Sequence, residues 1–343
     1  MTTYHVTCST DDNYVQHCVV MLCSLMENNQ SIHICVHLLH HALSSQSVKI
    51  IKELCERYGN DVFFYDIDDA AMRTFNISAD HNLTVACYYR LLLPSLLSRN
   101  VHRVLYLDCD IVVLKNIQDL FDLDLGDRPL AAVADATPVS NHHRFVMGLG
   151  IDDKAFCSGV MMINLDYWRD NHSQERMLKY ASEMGDNLIM EDQDVLNHEF
   201  RGRWLRLPYK YGKTPLSVVV LDKNQRMFDI EEYVHDPSIM HYSAKLKPWL
   251  DVWFPDRHYY LDYLAKSGFP NPKFIAISSS YRHKVRLYNI RFFINRYLHP
   301  VVPDLIEMVL VDVLNICKIV AHLVRPSLWH EILVKRWLDK YKQ

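Results

Sequence analysis

The chain contains the stretch Leu105-Tyr-Leu-Asp-Cys-Asp-Ile-Val-Val-Leu114, in which Asp108 and Asp110 interrupt an apolar run. Because residues i and i+2 of a strand point to the same side, both carboxylates can converge where the strand ends. Two buried carboxylates need a cation or strong hydrogen-bond donors beside them. Hard oxygen ligands in this position favour Mg²⁺ or Mn²⁺, which can bind a diphosphate. The stretch therefore predicts a metal site at a strand end.

Strand-like and helix-like segments alternate around this stretch through the first two thirds of the chain. Such alternation predicts an α/β fold with a doubly wound, mainly parallel sheet and helices on both faces. Ligands bind such sheets beyond the carboxyl ends of the strands, where acidic residues follow two of the predicted strands. The predicted strands are residues 4–9, 33–39, 62–65, 104–107, 130–134 and 159–164. The predicted helices are residues 14–27, 45–58, 84–97 and 167–184.

Composition argues against several other classes of ligand-binding protein. At 343 residues and 49% hydrophobic content, the chain is long enough for a large α/β domain with an appendage. Only 9 glycines occur, and neither a Walker A sequence nor a dinucleotide-binding fingerprint is present. The 9 cysteines include no Cys-X-X-Cys pair, so neither a disulfide framework nor a zinc ribbon is predicted. The start, Met1-Thr-Thr-Tyr-His-Val-Thr-Cys8, lacks the basic region of a signal peptide, which predicts a cytoplasmic protein.

Charge is unevenly distributed between the body of the chain and its tail. The net charge is −4, yet residues 271–343 contain 12 Lys and Arg against 5 Asp and Glu. Residues 281–296 interleave basic with aromatic side chains, residues 301–324 have the pattern of an amphipathic helix, and residues 327–341 that of a shorter one. We therefore expect a catalytic domain at 1–268 and a basic helical region at 269–343. This region either packs on the body or binds an anionic membrane surface. The acidic body argues against nucleic acid as a partner.

A third metal ligand and a phosphate partner are sought in Ile239-Met-His-Tyr-Ser-Ala-Lys-Leu-Lys-Pro-Trp249. His241 follows a predicted strand end, and Lys247 precedes a rigid Pro-Trp pair. A single histidine after a strand is more often a structural residue than a ligand. The paired aspartates and the following lysine favour the ligand interpretation of His241.

Four motifs carry a resemblance to a known family. They are Ser9-Thr-Asp-Asp-Asn-Tyr14, Tyr106-Leu-Asp-Cys-Asp-Ile111, Phe156-Cys-Ser-Gly-Val-Met-Met-Ile-Asn-Leu165 with Glu191-Asp-Gln-Asp-Val-Leu-Asn197, and His241-Tyr followed by Lys247-Pro-Trp249. In order and spacing they resemble glycosyltransferase family 8, the retaining group that includes lipopolysaccharide galactosyl- and glucosyltransferases and glycogenin. The resemblance covers about residues 3–249. It implies a GT-A nucleotide-diphospho-sugar transferase fold, a UDP-hexose donor and Mn²⁺, with Mg²⁺ as the alternative.

The resemblance also implies roles for individual residues. Asp108, Asp110 and His241 match the Mn²⁺ ligands, where the metal bridges the UDP phosphates. Asp192 and Gln193 match the catalytic positions, Asp192 holding sugar hydroxyls and Gln193 lying near the anomeric carbon. The residues implied in donor binding are Ser9, Asp11, Asn13, Tyr14, Arg90, Asp108, Cys109, Asp110 and Lys247. The residues implied in sugar binding are Asp135, Cys157, Asp192 and Gln193.

Some of these roles have a more specific form. The resemblance implies that Tyr14 stacks on uracil and that Lys247 binds the diphosphate. Asp11 and Asn13 are implied to bond the base and ribose, although the motif at Asp11, Asn13 and Tyr14 also suits a helix N-cap. Two positions depart from the family pattern, since Cys157 stands where the family has Asn and Ala244 where it has Gly. A thiol is a weak donor, and an added methyl can change the conformation of a loop.

The mechanism and the acceptor remain open at the level of sequence. Retention can proceed by double displacement through a carboxylate or by front-face attack, which Gln193 favours because it stands where a nucleophile would be sought. The expected acceptor is lipopolysaccharide or another lipid-linked surface glycan. Residues 137–153 and 209–228 are expected to bind this acceptor. The protein is expected to be cytoplasmic and peripheral on the inner face of the plasma membrane. Two other classes remain: a metal-dependent nucleotidyl or phosphoryl enzyme, and a non-catalytic, membrane-docked module that binds sugar nucleotides.

Overall fold

The computed structural model describes residues 2–68, 85–135, 140–150, 152–214, 236–243, 246–254 and 256–293. The strands in this part of the chain are β1 (Thr3–Thr10), β2 (His33–His40), β3 (Asp61–Asp66), β4 (Arg103–Leu107), β5 (Ile111–Val113), β6 (Leu130–Ala134), β7 (Phe156–Asn164), β8 (Leu205–Leu207) and β9 (Ile239–His241). The α-helices are α1 (Val15–Asn28), α2 (Ser45–Arg57), α3 (Leu93–Leu96), α4 (Gln118–Phe121), α5 (Asn141–Val146), α6 (Leu165–Asp170), α7 (Ser173–Met184), α8 (Glu191–Phe200), α9 (Arg257–Ser267) and α10 (Ser279–Phe293).

Seven strands form one twisted layer in the order β3-β2-β1-β4-β7-β6-β8. β7 runs antiparallel to β4 and β6, whereas the other neighbouring pairs in this sheet are parallel. The α/β class with a mainly parallel sheet is therefore confirmed. A second, two-stranded sheet pairs β5 with β9 in antiparallel register. This small sheet follows directly from the turn that carries Asp108 and Asp110.

The core lies on both faces of the large sheet. On one face α1 is apolar almost throughout, and its buried residues include Val19 and Leu22, because it is covered on its outer side by α9. On the other face, Tyr106 and Trp168 are among the largest fully buried side chains. Burial of large aromatic side chains of this kind supplies roughly 1.5–3 kcal/mol each through removal of apolar surface from water. The sheet that positions the site is thus held rigidly from both sides.

Two predicted helices differ from those in the structure. Residues 84–97 were expected to form one α-helix, but the chain forms a 3₁₀ helix at Val85–Leu92 and then the short α3. Pro94 lies in the first turn of α3, where its missing N–H is harmless, although it would break a continuous helix. Residues 167–184 were also expected to form one helix. The chain breaks there between α6 and α7, and His172 adopts a left-handed conformation with φ 50°.

The chain divides into compact units at Met1–Val285 and Arg286–Gln343. α10 covers most of the predicted basic-aromatic segment, and residues 286–293 belong to the second unit. Within the described residues, no helix combines the length and the apolar character that crossing a membrane requires. The helices predicted at 301–324 and 327–341 lie outside the described residues.

Candidate metal and donor site

The structure brings the three predicted metal ligands together. Asp108 follows β4, Asp110 lies in the turn before β5, and His241 ends β9. The antiparallel pairing sets Ile111 opposite His241, so the histidine returns to the two aspartates. The His241 Nε2 atom lies 3.2 Å from Asp110 Oδ1 and 3.6 Å from Asp108 Oδ2. One ligand atom from each residue lies within 4.8 Å of the others, close enough to share one cation.

Gly159 lies beside the Asp108 and His241 side chains, which occupy the space that a side chain at residue 159 would need. The Asp108 N–H donates to the Gly159 carbonyl at 2.9 Å across the β4–β7 pair. A Cβ atom at residue 159 would lie 2.2 Å from His241 Cε1 and 2.7 Å from Asp108 Oδ2. Only glycine therefore permits this approach. Gly159 lies in the Phe156–Leu165 motif, and the resemblance to the family implied no role for it. An isolated glycine inside a strand pattern nevertheless indicates that another group approaches the backbone closely.

The charges of the cluster suit a divalent cation. Burial alone would raise the pKa of Asp110, but Lys247 and His241 hold it far below its ordinary value. Burial alone would lower the pKa of His241, and the adjoining Asp110 carboxylate raises it well above its ordinary value. The buried Asp110 Oδ1 atom makes no hydrogen bond of good geometry among the described residues. The Asp110 carboxylate oxygen and the His241 imidazole nitrogen point toward each other, and the charged forms of both groups are stabilised. A metal ion could therefore take the place of the proton between them.

Lys247 lies next to this cluster. Its Nζ atom donates to Asp110 Oδ2 and to the Tyr242 carbonyl, each at 2.6 Å. The side chain is partly exposed, at 21% of its surface. The lysine predicted to bind a diphosphate therefore reaches the same carboxylate as the metal site. Residue 244, the second departure from the family pattern, lies outside the described residues.

Arg90 connects Asp108, a predicted metal ligand, to the residues predicted to bind the sugar. Its guanidinium donates to Asp108 Oδ1 at 2.8 Å, pairs with Asp192 Oδ2 at 3.2 Å and donates to the Ser158 carbonyl at 3.0 Å. The same group lies 4.0 Å from the centre of the Tyr106 ring. Arg90 is 4% exposed, so it is a buried cation and not a solvated surface residue. A buried arginine between two carboxylates fixes both of them.

Asp192 and Gln193 enter the site from the first turn of α8. Asn197 ties this helix to β7 by exchanging two hydrogen bonds with the Phe156 backbone. Gln193 Oε1 accepts from the Ser158 N–H at 3.1 Å, and Gln193 Nε2 donates to Asp135 Oδ2 at 2.9 Å. Burial, partly opposed by Arg90, raises the pKa of Asp192 to about 6. Glu191 precedes them with φ 41°, a strained backbone conformation of a kind that clusters at functional sites.

The predicted nucleotide side lies at the carboxyl end of β1. Asp11 Oδ1 accepts from the N–H groups of Asn13 and Tyr14 at 2.8 and 3.0 Å, so Asp11 shapes the turn that leads into α1. Tyr14 is 39% exposed, and its ring meets that of Trp249 edge-on at 5.8 Å. An exposed aromatic ring at this edge offers a face for stacking. The N-cap interpretation of Asp11 is wrong, because Tyr14 is the N-cap residue of α1 and no side chain caps that helix.

Cysteines occupy two positions of the site. The Cys109 thiol donates to the Ser9 carbonyl at 3.0 Å and so joins the metal turn to the end of β1. The Ser9 hydroxyl is buried without a hydrogen-bond partner among the described residues. Cys157 Sγ lies 3.6 Å from His241 Nδ1, on the far side of the ring from the aspartates. Cys157 therefore orients the histidine, a contact that the sequence interpretation did not anticipate.

These residues line one cleft of about 280 Å³. The predicted residues that line it are Ser9, Asp11, Tyr14, Arg90, Asp108, Cys109, Asp110, Cys157, Asp192, Gln193, His241 and Lys247. Asn13 and Asp135 stand outside this lining and reach it through Asp11 and Gln193. The cleft combines carboxylates, one lysine and an exposed ring at the carboxyl ends of the strands, as an anionic nucleotide held through a cation requires.

Known proteins have similar sequences and a similar fold. The sequence pattern of Glycosyl transferase family 8 matches residues 5–252. The chain is 28% identical to General stress protein A of Bacillus subtilis, over 76% of this chain and 93% of that protein. It is 27% identical to lipopolysaccharide 1,2-glucosyltransferase of Escherichia coli, over 73% and 74% of the two chains. Two longer streptococcal glycosyltransferases match it over 31% and 19% of their own lengths.

A solved structure agrees with the fold. The galactosyltransferase LgtC, in complex with donor and acceptor sugar analogs, superposes with a TM-score of 0.67 and 22% sequence identity, covering 82% of this chain and 99% of that one. This likeness shows the GT-A fold. The family match spans more than two thirds of the chain and gives the class as sugar transferase. The chain belongs to glycosyltransferase family 8.

Proposed function

We propose that the protein transfers a hexose, glucose or galactose, from a UDP-sugar to a glycan acceptor, with retention of anomeric configuration and dependence on a divalent cation. The convergence of Asp108, Asp110 and His241 on the space left by Gly159 is the observation that carries this proposal. These three residues would hold Mn²⁺, with Mg²⁺ as the alternative. The imidazole ligand favours Mn²⁺, because Mg²⁺ in proteins is mostly held by oxygen atoms. The bound ion would serve as a Lewis acid for the departing diphosphate.

The donor would lie along the cleft from the β1 end to α8. Tyr14 offers its exposed ring to the uracil, and the Asp11–Asn13 turn lies beside it. Lys247 already donates to Asp110, so a small shift of its flexible side chain would bring the ammonium onto a phosphate oxygen. The sugar would lie near Arg90 and Asp192, which line the cleft, and Asp135 is joined to this end of the cleft through Gln193. These contacts orient the donor before the acceptor arrives.

The geometry favours front-face attack over double displacement. A nucleophilic carboxylate needs freedom to reach the anomeric carbon. Asp192 instead pairs with Arg90 and accepts from the Ser158 hydroxyl at 3.3 Å, both within the protein interior. Gln193 is fixed at both ends of its amide and cannot act as a carboxylate nucleophile. The enzyme would then work by positioning and by electrostatic stabilisation of the leaving diphosphate.

Gln193→Ala is expected to reduce transfer without abolishing it and to leave the retained anomer unchanged. The reason is that Gln193 positions Asp135 and the Ser158 backbone, and front-face attack requires no covalent bond between Gln193 and the sugar. The rate of transfer and the anomer of the product, measured by NMR, test this. Complete loss of activity, together with a glycosyl adduct trapped on the wild-type chain, would support double displacement instead.

The acceptor is proposed from the names of the relatives. One of them is a lipopolysaccharide 1,2-glucosyltransferase of Escherichia coli, and another is a lipopolysaccharide 1,3-galactosyltransferase of Salmonella typhimurium. We propose that the present protein likewise transfers its sugar to lipopolysaccharide or to another lipid-linked surface glycan. The segments 137–153 and 209–228, expected to contact the acceptor, are described only in part. Work on such an acceptor would take place at the cytoplasmic face of the plasma membrane.

The basic C-terminal region is proposed to bring the enzyme to that membrane. We assign the catalytic domain to residues 1–268 and the basic region to 269–343. The first part of this region contacts the body, because the Lys273 N–H donates to Gln16 Oε1 at 2.7 Å and the Ile275 N–H to the Trp249 carbonyl at 2.9 Å. A cut after Val285 divides α10, but it keeps these contacts and removes only the second compact unit.

A chain that ends at Val285 is expected to lose binding to phosphatidylglycerol vesicles and to keep its transfer activity on a soluble acceptor. Residues 286–343 contain 9 Lys and Arg against 5 Asp and Glu. Attraction to anionic lipid contributes about 1 kcal/mol per basic residue near the surface. Cosedimentation with the vesicles at low and high salt measures this binding, because screening weakens the electrostatic attraction as the salt concentration rises. Equal vesicle binding by the full and shortened chains would contradict the membrane role.

The proposed function is tested by incubating the full-length protein with radiolabelled sugar nucleotides, with and without Mn²⁺. Release of UDP from UDP-glucose or UDP-galactose, dependent on Mn²⁺, is the expected result. Release of inorganic phosphate would identify a phosphoryl enzyme. Binding of the nucleotide without turnover in the presence of lipid-linked glycan extracts would identify a non-catalytic binding module. Either of the last two results would overturn the proposal.

A further inference from the structure

A second cluster of metal-ligating side chains lies nearer the amino ends of β1 and β2, away from the cleft at their carboxyl ends. It consists of His5, Cys35 and His37. We propose that these three residues form a Zn²⁺ site that is separate from the site of the catalytic cation. The proposal does not depend on which donor or acceptor the enzyme uses.

The strand register creates this cluster. His5 of β1 pairs directly with Cys35 of β2, and His37 is two residues further along β2. Side chains of paired residues in neighbouring strands, and of residues i and i+2 in one strand, share a face of the sheet. All three side chains therefore project from the same face at adjacent positions. Sequence spacing could not show this, because the ligands come from two strands and lack the paired motifs of zinc ribbons.

The distances between the ligand atoms suit one tetrahedral ion. His5 Nδ1 lies 3.0 Å from His37 Nε2, and Cys35 Sγ lies 3.7 Å from the same nitrogen. Zinc bonds of ~2.0–2.1 Å to nitrogen and ~2.3 Å to sulfur, at tetrahedral angles, separate two ligand atoms by roughly 3.3–3.6 Å. Both separations from His37 Nε2 differ from these values by a few tenths of an ångström, and all three ligand atoms lie within 4.8 Å of one another.

The ligand types select zinc over the ion of the catalytic site. Two imidazoles and a thiolate suit Zn²⁺, whereas carboxylate ligands suit Mn²⁺ and Mg²⁺. Burial lowers the pKa of both His5 and His37, so both rings are neutral at physiological pH, as metal ligands must be. Burial and the Asp61 carboxylate raise the pKa of the Cys35 thiol to about 11, so the thiol is protonated until zinc binds. On coordination its proton passes to solvent and the thiolate bonds to zinc. Asp61, paired in register with Cys35, adds a negative charge beside the cation.

A neighbouring hydroxyl orients the central ligand. His37 Nδ1 lies 2.9 Å from the Tyr65 hydroxyl oxygen. If Nδ1–H donates to Tyr65, the Nε2 lone pair is directed at His5 and Cys35, the arrangement usual for metal-bound histidines. His37 is 4% exposed, while His5 is half-buried. A water molecule from the solvent side at His5 can therefore complete the tetrahedron.

Cobalt substitution tests the site, because Co²⁺ bound by a thiolate gives a charge-transfer band in the near ultraviolet that oxygen and nitrogen ligands do not give. The full-length protein, stripped with a chelator, is titrated with Co²⁺ and then with Zn²⁺. The band should appear at one Co²⁺ per chain and disappear as Zn²⁺ displaces the cobalt. Cys35→Ser should abolish it. Cys157→Ser, which removes the thiol 3.6 Å from His241, is the matched control and should keep it.

Two further variants separate coordination from folding. Tyr65→Phe removes only the hydroxyl beside His37 and should weaken Zn²⁺ binding by about 10–100-fold while the cobalt band remains. His5→Gln, at a half-buried position, should also weaken Zn²⁺ binding by at least ~10-fold, and it serves if Cys35→Ser does not fold. Absence of the band in the wild-type protein at saturating Co²⁺ would overturn the proposal. A band that survives in Cys35→Ser but is lost in Cys157→Ser would assign the thiolate to the catalytic cleft and overturn it equally.

Discussion

Asp110→Asn is expected to lower the rate of glycosyl transfer by at least ~100-fold, the effect of removing a group that stabilises transition-state charge. The amide keeps the size of the side chain but removes the charge that faces His241 and Lys247. Binding of Mn²⁺, and of UDP through it, should weaken together. Initial rates of UDP release across a range of Mn²⁺ concentrations measure the effect.

The matched control for this variant is Asp127→Asn. The Asp127 side chain is 99% exposed and pairs only loosely with Arg128 at 3.8 Å, so the same chemical change should leave the rate unchanged. Thermal unfolding of both variants shows whether folding is preserved. Turnover and Mn²⁺ affinity close to wild type in Asp110→Asn would refute its assignment as a metal ligand.

Gly159→Ala is expected to abolish transfer as completely as loss of a ligand. The new methyl would lie at 2.2 Å from His241 Cε1 and 2.7 Å from Asp108 Oδ2, so at least one metal ligand must move. His241 is 3% exposed and packed, which leaves little room for adjustment. Overpacking of this kind lowers the free energy of unfolding by about 1–3 kcal/mol. Mn²⁺ affinity, measured by calorimetry on the folded variant, should fall with the activity.

Gly202→Ala separates this effect from a general loss of stability. Gly202 has φ +69°, and no atom lies within 4 Å of the position that a Cβ atom would take, so alanine there strains the backbone without touching the cleft. It should lose stability and keep its affinity for Mn²⁺. If Gly159→Ala binds Mn²⁺ as tightly as the wild type, the close approach of Asp108 and His241 has no bearing on the metal.

Sequence reasoning predicted the part of the site that depends on local pattern. The apolar run before Asp108 marks a buried strand, and the predicted convergence of Asp108 and Asp110 is confirmed. The expected cause was wrong, because β4 ends at Leu107 and the turn that follows it, rather than strand alternation, brings Asp110 beside Asp108. The mainly parallel sheet follows from alternating strands and helices. The direction of β7 could not be predicted, because side-chain periodicity is the same in parallel and antiparallel strands.

The remainder of the site depends on contacts between distant segments. The pairing of β5 with β9 brings His241 to the aspartates, and no local signal specifies that pairing. The bridge from Arg90 to Asp192, and the contact of Cys157 with His241, likewise join residues far apart in the chain. The helix break at His172 depends on a left-handed conformation in a residue other than glycine, for which the sequence gives no strong signal.

The central claim is that this cleft binds a UDP-sugar through a cation held by Asp108, Asp110 and His241. Titration of UDP into the full-length protein by calorimetry, first with Mn²⁺ and then after removal of the metal with EDTA, tests it most directly. The account predicts binding with Mn²⁺, loss of detectable binding after EDTA, recovery when Mn²⁺ is restored, and no binding by Asp110→Asn under any of these conditions. UDP binding of equal affinity with and without the metal would contradict it.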